Sequence, residues 1–310
     1  MINTIMEMTA IKGLARKAAL GLAVGMLLLA PVAAEAHCDT MDGPTVKDAL
    51  KAMKTDNVNY ALKWVQPRYE GEVTRAFNLS MKVMDINADT RNLAEQYFFE
   101  ILLRDHRAGE GAPFEGVKPH GTPIDERVKA AEAHCDTMDG PTVKDALKAM
   151  KTDNVNYALK WVQPRYEGEV TRAFNLSMKV MDINADTRNL AEQYFFEILL
   201  RDHRAGEGAP FEGVKPHGTP IDERVKAADR SIEEGNLKPL EHLVDKDKQP
   251  ELERRFQRVM ALRDFDVNDL EAGREYIEAY VQFFKFAEGE EDEHHGVHGH
   301  GGHEALHGQE

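Results

Sequence analysis

The segment that starts at His37 and Cys38 has the clearest capacity for chemistry. If the chain began at His37, its free α-amine and imidazole would close a chelate ring, which the Cys38 amide nitrogen and thiolate would extend. This nitrogen and sulfur set suits nickel(II) or copper(II) in square-planar geometry. Met41 and Asp42 lie close enough to contribute, and the sulfur donors also allow copper(I). The alternative is a frayed terminus with an exposed thiol.

A second group of potential ligands lies in the C-terminal segment 289–310, where six histidines are set among glycines after an acidic run. They are His294, His295, His298, His300, His303 and His307. The segment has no apolar pattern and is predicted to be disordered. Histidine-rich tracts bind borderline metals through neutral imidazoles, so we expect Ni, Cu or Zn binding with little geometric selectivity. The alternative is a solvated tail without a role.

The first 36 residues indicate how His37 becomes a terminus. A basic stretch from Lys12 to Lys17 precedes an apolar run over 18–33, and Ala34 to Ala36 has the small-x-small pattern of a signal peptidase site. The run is shorter than the roughly 20 residues that a membrane-spanning helix needs. We therefore predict a signal peptide over 1–36, a periplasmic or secreted protein, and no integral membrane segment after cleavage.

The chain contains a long internal repeat, because Ala33 to Ala131 reappears without a substitution as Ala130 to Ala228. A unit of this length exceeds the 20–50 residues of solenoid repeats. Perfect identity indicates a very recent duplication or an assembly artefact. Cys38 and Cys135 occupy the same position in the two copies, so one unit carries one cysteine. A single cysteine in an exported protein indicates a reactive or metal-binding thiol, or intermolecular pairing.

The elements that must position these residues are predicted to be helices. Pro44 is suited to a first helical position, and Val46, Leu50 and Met53 follow at helical spacing. The strongest helix has Asp89 as its predicted cap. Its wide apolar stripe consists of Leu93, Ala94, Tyr97, Phe98, Ile101 and Leu102. Since no stretch alternates with period two for long enough to be a strand, we predict an all-α helical bundle.

The repeat predicts an unequal pair of units. Thr219 to Asp222 has the sequence of a helix start with Pro220 at the first helical position, and Gly235 is suited to end that helix. The equivalent helix of the first copy is interrupted at 132–135. We therefore predict a truncated duplicate unit over 37–133 and a complete helical bundle over 134–288.

Charge and the remaining polar residues exclude several classes of function. A formal net charge of -15 makes nucleic acid a poor partner and suits cations. No nucleophilic triad or phosphate loop occurs, so the catalytic residues, if any exist, are unknown. His106 and His203 lie on a largely apolar helix face and are interpreted as core or capping residues rather than ligands. Trp64 and Trp161 are predicted to lie in the core.

Two resemblances add to these observations. The start His37-Cys38-Asp39 resembles the nickel hook of nickel superoxide dismutase, but Asp42 stands where that family has a second cysteine that tunes the nickel couple. His37 and Cys38 alone therefore carry over as candidate ligands. A longer resemblance, to an uncharacterised family of exported bacterial and archaeal proteins, covers the whole mature unit. Its motifs are HCDTMDGP from His37, NVNY, WVQP, YFFE, HRAGEGAP and EAGREY.

The preferred hypothesis is an exported helical metal-binding protein that handles nickel, copper or zinc. One alternative is a redox metalloenzyme distantly similar to nickel superoxide dismutase. The other is a helical interaction module without a metal role. Metal ions are the expected partners in the first two cases.

Overall fold

The computed structural model describes residues 40–41, 43–112, 114–117 and 136–289. These residues are largely α-helical and contain no paired strands beyond one isolated bridge, which confirms the all-α prediction. The helices of the first copy are α1 (Pro44–Thr55), α2 (Asn59–Leu62), α3 (Glu70–Val83) and α4 (Ala88–Glu110). The second copy has α5 (Pro141–Thr152), α6 (Asn156–Leu159), α7 (Glu167–Val180), α8 (Ala185–Gly206) and the start of α9 (Glu223–Glu234), followed by α10 (Gln249–Leu262) and α11 (Leu270–Glu288).

The chain divides into two compact units. One comprises residues 1–84 with 94–127, and the other comprises 85–93 with 128–310. Across the described ranges, no helix is both long and apolar enough to cross a membrane. The residues predicted as the signal peptide, 1–36, lie outside these ranges.

Helix α1 begins at Pro44, as predicted, because proline fixes a helical φ and needs no hydrogen-bond partner at the first position. Its buried face consists of Val46, Ala49 and Met53, together with Thr45 and Ala52. Leu50 was predicted on this face, but it is exposed. The small residues at 49 and 52 instead face the core.

The long helices α4 and α8 are capped by asparagine rather than by the predicted aspartate. The Asn184 side chain accepts the Thr187 backbone N–H, and the Asn184 N–H donates to the Thr187 hydroxyl, both at 2.9 Å. Asn87 and Thr90 repeat this reciprocal pair. The prediction that Asp89 is the cap was therefore wrong by two residues. Asp89 lies in the first turn, where its negative charge is favourable to the helix dipole.

The core of each copy is a pair of antiparallel long helices. In the second unit, Phe174 of α7 meets Phe195 of α8 edge to face at 5.4 Å, and the buried Ser177 hydroxyl donates to the Ala191 carbonyl at 3.0 Å. The small side chain at 177 permits this close approach of the two helices. Phe77, Phe98 and Ser80 make the same contacts in the first unit.

Helix α9 begins later than predicted. Asp222 is its cap, accepting the Arg224 N–H at 2.7 Å, so Pro220 precedes the helix instead of opening it. Gly235 ends α9 with a φ of 70°, as predicted. Asp269 caps α11 by accepting the Ala272 N–H at 3.0 Å.

Helix α11 and the loop before it cover one face of the second copy. Trp161 is buried as predicted and packs against Tyr280 with ring centroids 5.9 Å apart. The Lys160 ammonium pairs with Asp145 at 2.9 Å and lies over the Phe265 ring at 5.1 Å. The cover is tight, because a Cβ at Gly273 would lie 3.0 Å from the Cβ of Lys160.

Arg274, in the first turns of α11, holds this helix against the second copy. Arg274 donates to the Val162 carbonyl at 3.0 Å and forms an ion pair with Glu167. Asn268 contacts the amides of Asn154 and Asn156. Residues 265–280 therefore hold the second copy through aromatic, ionic and amide contacts together.

Candidate functional site

Most of the predicted metal ligands lie outside the described residues. This applies to His37, Cys38 and Asp42 and to the six histidines of the tail. Met41 is described, and it lies half-buried in a turn after the buried Thr40. The second copy provides more information, because its equivalent segment is described from Asp136 onward.

The segment that follows His134 and Cys135 is anchored by main-chain hydrogen bonds. The Lys215 N–H donates to the Asp136 carbonyl at 2.8 Å, and the Met138 N–H donates to the Lys215 carbonyl at 2.9 Å. These two bonds form a short parallel bridge at Thr137. Asp136 and Thr137 are both buried. The residues directly after the His-Cys pair are thus fixed inside the second unit.

The Asp136 carboxylate lies close to Arg204 of α8. Its Oδ2 is 3.6 Å from the Arg204 Nε, whereas Oδ1 has no hydrogen-bond partner in the structure. Burial raises the pKa of Asp136 to about 6, because loss of hydration outweighs the attraction of Arg204, His203 and Lys215. A buried carboxylate oxygen without a donor is costly, which makes this position unusual.

Helix α8 buries four consecutive polar residues, from Arg201 to Arg204. Successive residues on a helix are separated by about 100°, so this part of α8 is enclosed on every side. Arg201 pairs with Glu169 at 2.6 Å and with Asp202 at 2.9 Å. Arg204 donates to Glu207 at 3.1 Å. The cations are therefore buried with partners, as the low dielectric requires.

His203 lies in the middle of this buried group. Its Nδ1 is 2.8 Å from the Trp161 carbonyl oxygen, and its ring meets the Trp161 ring edge to face at 5.5 Å. A carbonyl oxygen only accepts, so Nδ1 carries a proton. In the neutral ring, Nε2 then presents a lone pair. That Nε2 is buried, has no hydrogen-bond partner in the structure, and lies 3.9 Å from Glu207 Oε2.

The first copy repeats this histidine arrangement. His106 Nδ1 is 2.7 Å from the Trp64 carbonyl oxygen, and Nε2 lies 3.5 Å from Glu110 Oε1. The neighbouring Asp105 is buried beside Arg104, and burial raises its pKa to about 6 against the opposing effect of that guanidinium. The interpretation of His106 and His203 as buried residues is correct for their position. Sequence reasoning missed that each leaves one ring nitrogen available.

Asp139, the equivalent of the predicted ligand Asp42, is engaged by a loop. Its Oδ2 accepts the Gly218 N–H at 2.9 Å, and its Oδ1 lies 2.8 Å from His217 Nδ1. The Gly218 hydrogen bond and then the His217 contact lower the pKa of Asp139. In the second copy, this carboxylate holds a loop in place.

Sequence reasoning also missed Asp136 and Glu207. The available signal was the spacing of His203 and Glu207, which are four residues apart and therefore neighbours on one helix face. Among the described residues, no group of three or more His, Cys, Asp or Glu side chains is arranged to hold a metal ion.

The chain was compared with known proteins. The model of a family of unknown function, DUF6448, matches residues 42–137 and again residues 139–286. No curated protein and no solved structure gives a match. The two matches follow the internal duplication and together cover well over half of the sequence, so the chain belongs to the family of unknown function DUF6448.

Proposed function

We propose that this protein is an exported metal-binding protein that handles nickel, copper or zinc. The ligands are the mature His37-Cys38 terminus, with Met41 and Asp42 nearby, and the histidines of the tail. The terminal amine, imidazole, amide and thiolate supply the nitrogen and sulfur donors that these ions prefer. The tail would raise the local concentration of loosely bound metal.

One observation from the second copy carries the proposal. Asp136, which directly follows His134 and Cys135, is buried, accepts the Lys215 N–H through its carbonyl and lies 3.6 Å from Arg204 of α8. It lies within electrostatic reach of His203, whose Nε2 has no hydrogen-bond partner in the structure. The residue that directly follows the His-Cys pair is therefore held in the fold. This supports a ligand role for the pair over that of an unattached terminal thiol.

The test compares the two cysteines, because they have the same sequence context but different main-chain chemistry. His37 offers a free amine after cleavage, whereas the His134 nitrogen is tied in a peptide bond. In chains whose tail histidines are replaced by serine, Cys38→Ser should weaken nickel(II) or copper(II) binding by about 100-fold or more. Cys135→Ser should have a much smaller effect. Isothermal titration of the exported, cleaved protein measures both affinities.

Three outcomes would contradict the proposal. N-terminal sequencing that places the mature start away from His37 would remove the terminal chelate. Equal losses from Cys38→Ser and Cys135→Ser would show that the free amine is irrelevant. Absence of stoichiometric metal in the unsubstituted protein would favour an interaction module. Superoxide turnover by the nickel-loaded protein would instead favour the redox enzyme.

A further inference from the structure

We propose that the first copy carries a docking surface for a helical segment of another protein. The surface, called the open face below, consists of Asn57, Asn59, Lys63, Trp64, Val65 and Glu70. The segment that it would bind has the chemistry of the cover of the second copy, residues 265–280. That chemistry is an aromatic residue and an asparagine before a helix, then an arginine and a tyrosine on the helix, at the spacing of residues 265, 268, 274 and 280. This inference is independent of the proposed metal-binding function.

The residues of the open face are more exposed than their counterparts in the second copy. Asn57, Asn59 and Glu70 are exposed, whereas the equivalent residues of the second copy are half-buried. Lys63 is exposed and Trp64 is half-buried, whereas the equivalent lysine and tryptophan are buried. Since the two sequences are identical, the difference follows from the cover that contacts the second copy.

The open face already has the backbone that the cover binds. The Ala61 N–H donates to the Val58 carbonyl at 2.8 Å, and the Ala158 N–H donates to the Val155 carbonyl at the same distance. The N–H of Trp64 and that of its counterpart each donate to the carbonyl three residues before, at 3.0 Å. Binding therefore requires no rearrangement of this backbone, which is the usual condition of pre-organised interfaces.

An arginine of the partner helix would bind one end of the open face. In the second copy, Arg274 donates to the Val162 carbonyl at 3.0 Å and pairs with the Glu167 carboxylate. Val65 and Glu70 occupy these two positions in the first copy, and Glu70 is exposed. A guanidinium suits such a pair of acceptors, because it has several N–H donors in a planar fork.

An asparagine before the partner helix would bind two amides of the open face. In the second copy, Asn268 Oδ1 accepts from the side-chain amides of Asn154 and Asn156, at 3.2 and 3.0 Å. Asn57 and Asn59 supply the same two amides in the first copy. Asn57 Oδ1 accepts the Asn59 main-chain N–H at 3.1 Å, as its counterpart does, so this side chain makes the same local hydrogen bond.

Two aromatic residues of the partner would cover the lysine and the tryptophan of the open face. Phe265 lies 5.1 Å from the ammonium of the second-copy lysine, and Tyr280 lies 5.9 Å from the second-copy indole. Lys63 pairs with Asp48 at 2.7 Å, and Trp64 donates to the same carboxylate at 3.0 Å. Both side chains are thus held before any partner binds, which lowers the entropy cost of binding.

The number of faces and covers favours a separate partner over a second copy of this chain. The sequence contains this face twice and the segment 265–280 once, and that segment is bound to the second copy. Two chains that exchanged the segment would open one face for each face they cover, and would lose the high effective concentration of a tethered segment. A segment of another protein adds contacts without removing any. Because it is not tethered, it would bind reversibly and constrain the open face less than the cover constrains the second copy.

The probe for this surface is a fluorescein-labelled synthetic peptide of residues 264–282, into which the full chain is titrated. The peptide keeps the aromatic residues, the asparagine and the arginine of the cover and contains no tryptophan. We expect a saturable rise in fluorescence anisotropy with one peptide bound per chain, because the second-copy face is already occupied. In the Trp161→Phe chain, unlabelled peptide should reduce the quenching of Trp64 by acrylamide.

Two matched substitutions in the chain locate the bound peptide. Glu70→Gln should weaken peptide binding by about 10-fold or more, because the arginine loses its charged acceptor. Glu167→Gln is the same change at the covered face and should leave the peptide affinity unchanged. Glu70 is exposed, so its substitution should not disturb the fold.

Substitutions in the peptide test the geometry with the chain left intact. Arg274→Ala in the peptide should weaken binding by about 10-fold. Gly273→Ala is more specific, because a Cβ at 273 would lie 3.0 Å from the Cβ of Lys160, whose counterpart on the open face is Lys63. Alanine raises helix propensity and would strengthen unspecific helix binding. In the geometry of the cover, the same change should weaken binding by about 10-fold.

Three results would overturn the docking surface. They are the absence of saturable peptide binding, equal losses from Glu70→Gln and Glu167→Gln, and tighter binding of the Gly273→Ala peptide. Concentration-dependent dimerisation of the chain without peptide, abolished by Glu70→Gln, would show that a second copy occupies the open face and would overturn a separate partner. No assay here contains a metal ion, so each result leaves the proposed metal-binding function to its own test.

Discussion

The segments 59–66 and 156–163 have the same sequence but different surroundings. Trp64 is half-buried, whereas Trp161 is buried against Tyr280. The Lys63 side chain is 55% exposed, whereas that of Lys160 is 9% exposed. Both tryptophans nevertheless donate from Nε1 to an aspartate, Trp64 to Asp48 of α1 at 3.0 Å and Trp161 to Asp145 of α5 at 2.9 Å.

This difference separates local from tertiary causes. The backbone turns, the caps and the histidine contact to the tryptophan carbonyl recur in both copies, so the sequence within one copy determines them. Burial of residues 159–162 requires the cover supplied by residues 265–280. The cover therefore adds stability to one copy without being needed to shape it.

Among the differences in stability that we expect between the two copies, the largest follows from replacing each tryptophan by alanine. Trp161→Ala should lower the free energy of unfolding of the second unit by about 4 kcal/mol, because a large buried side chain and its cavity are involved. Trp64→Ala should cost about half as much in the first unit. Differential scanning calorimetry of the two variants measures the shifts. Equal shifts would contradict the assigned role of the cover.

Protonation of Asp105 should change the stability of the first unit. Its folded pKa of about 6 lies above the unfolded value, so its contribution is full below about pH 4 and is lost as the pH rises through 6. The change is on the order of 3 kcal/mol. Asp105→Asn should flatten the pH dependence of one calorimetric transition and thereby identify it as the first unit. A pH profile that Asp105→Asn does not alter would refute this.

The Arg274 ion pair gives a smaller difference with a matched control. Arg274→Ala should destabilise the second unit by about 2 kcal/mol, because a charged hydrogen-bond partner is lost at Val162 and Glu167. Glu167→Gln should cost about 1 kcal/mol, whereas Glu70→Gln, at the same position of the first copy, should stay within about 0.5 kcal/mol. Thermal unfolding of the three variants measures these effects, and a loss in Glu70→Gln equal to that in Glu167→Gln would show that Arg274 is irrelevant.

The smallest expected difference between the two copies is the access of a fluorescence quencher to each tryptophan. Trp161→Phe leaves Trp64 as the only indole, and Trp64→Phe leaves Trp161. Acrylamide should quench Trp64 more efficiently than Trp161, because the cover restricts access to Trp161. Equal quenching constants in the two folded variants would mean that both indoles are equally accessible.

Sequence periodicity was sufficient to predict the all-α class, and the local preferences of single residues predicted several helix boundaries. Pro44 and Gly235 have local preferences that decide where a helix starts or ends, and the structure follows them. The prediction of Asp89 as a cap was wrong because Asn87 and Thr90 make a reciprocal pair of hydrogen bonds that a single aspartate cannot match.

The candidate site was less accessible to sequence reasoning. Burial of the whole run from Arg201 to Arg204 could not be predicted from periodicity, because it depends on partners far along the chain, at Glu169, Trp161 and Asp136. Periodicity records the faces of one helix and contains no information about such partners. The roles of the terminal His37 and Cys38 and of the tail histidines remain predictions.

The tight cover at Gly273 also bears on how the two copies will evolve. Any side chain at 273 would meet Lys160, and substitutions at 159–162 must fit an existing surface. The same residues of the first copy, 62–65, face fewer such demands. Beginning from identity, the duplicates should therefore accumulate changes unevenly, with drift fastest at 62–65 and purifying selection strongest at 159–162.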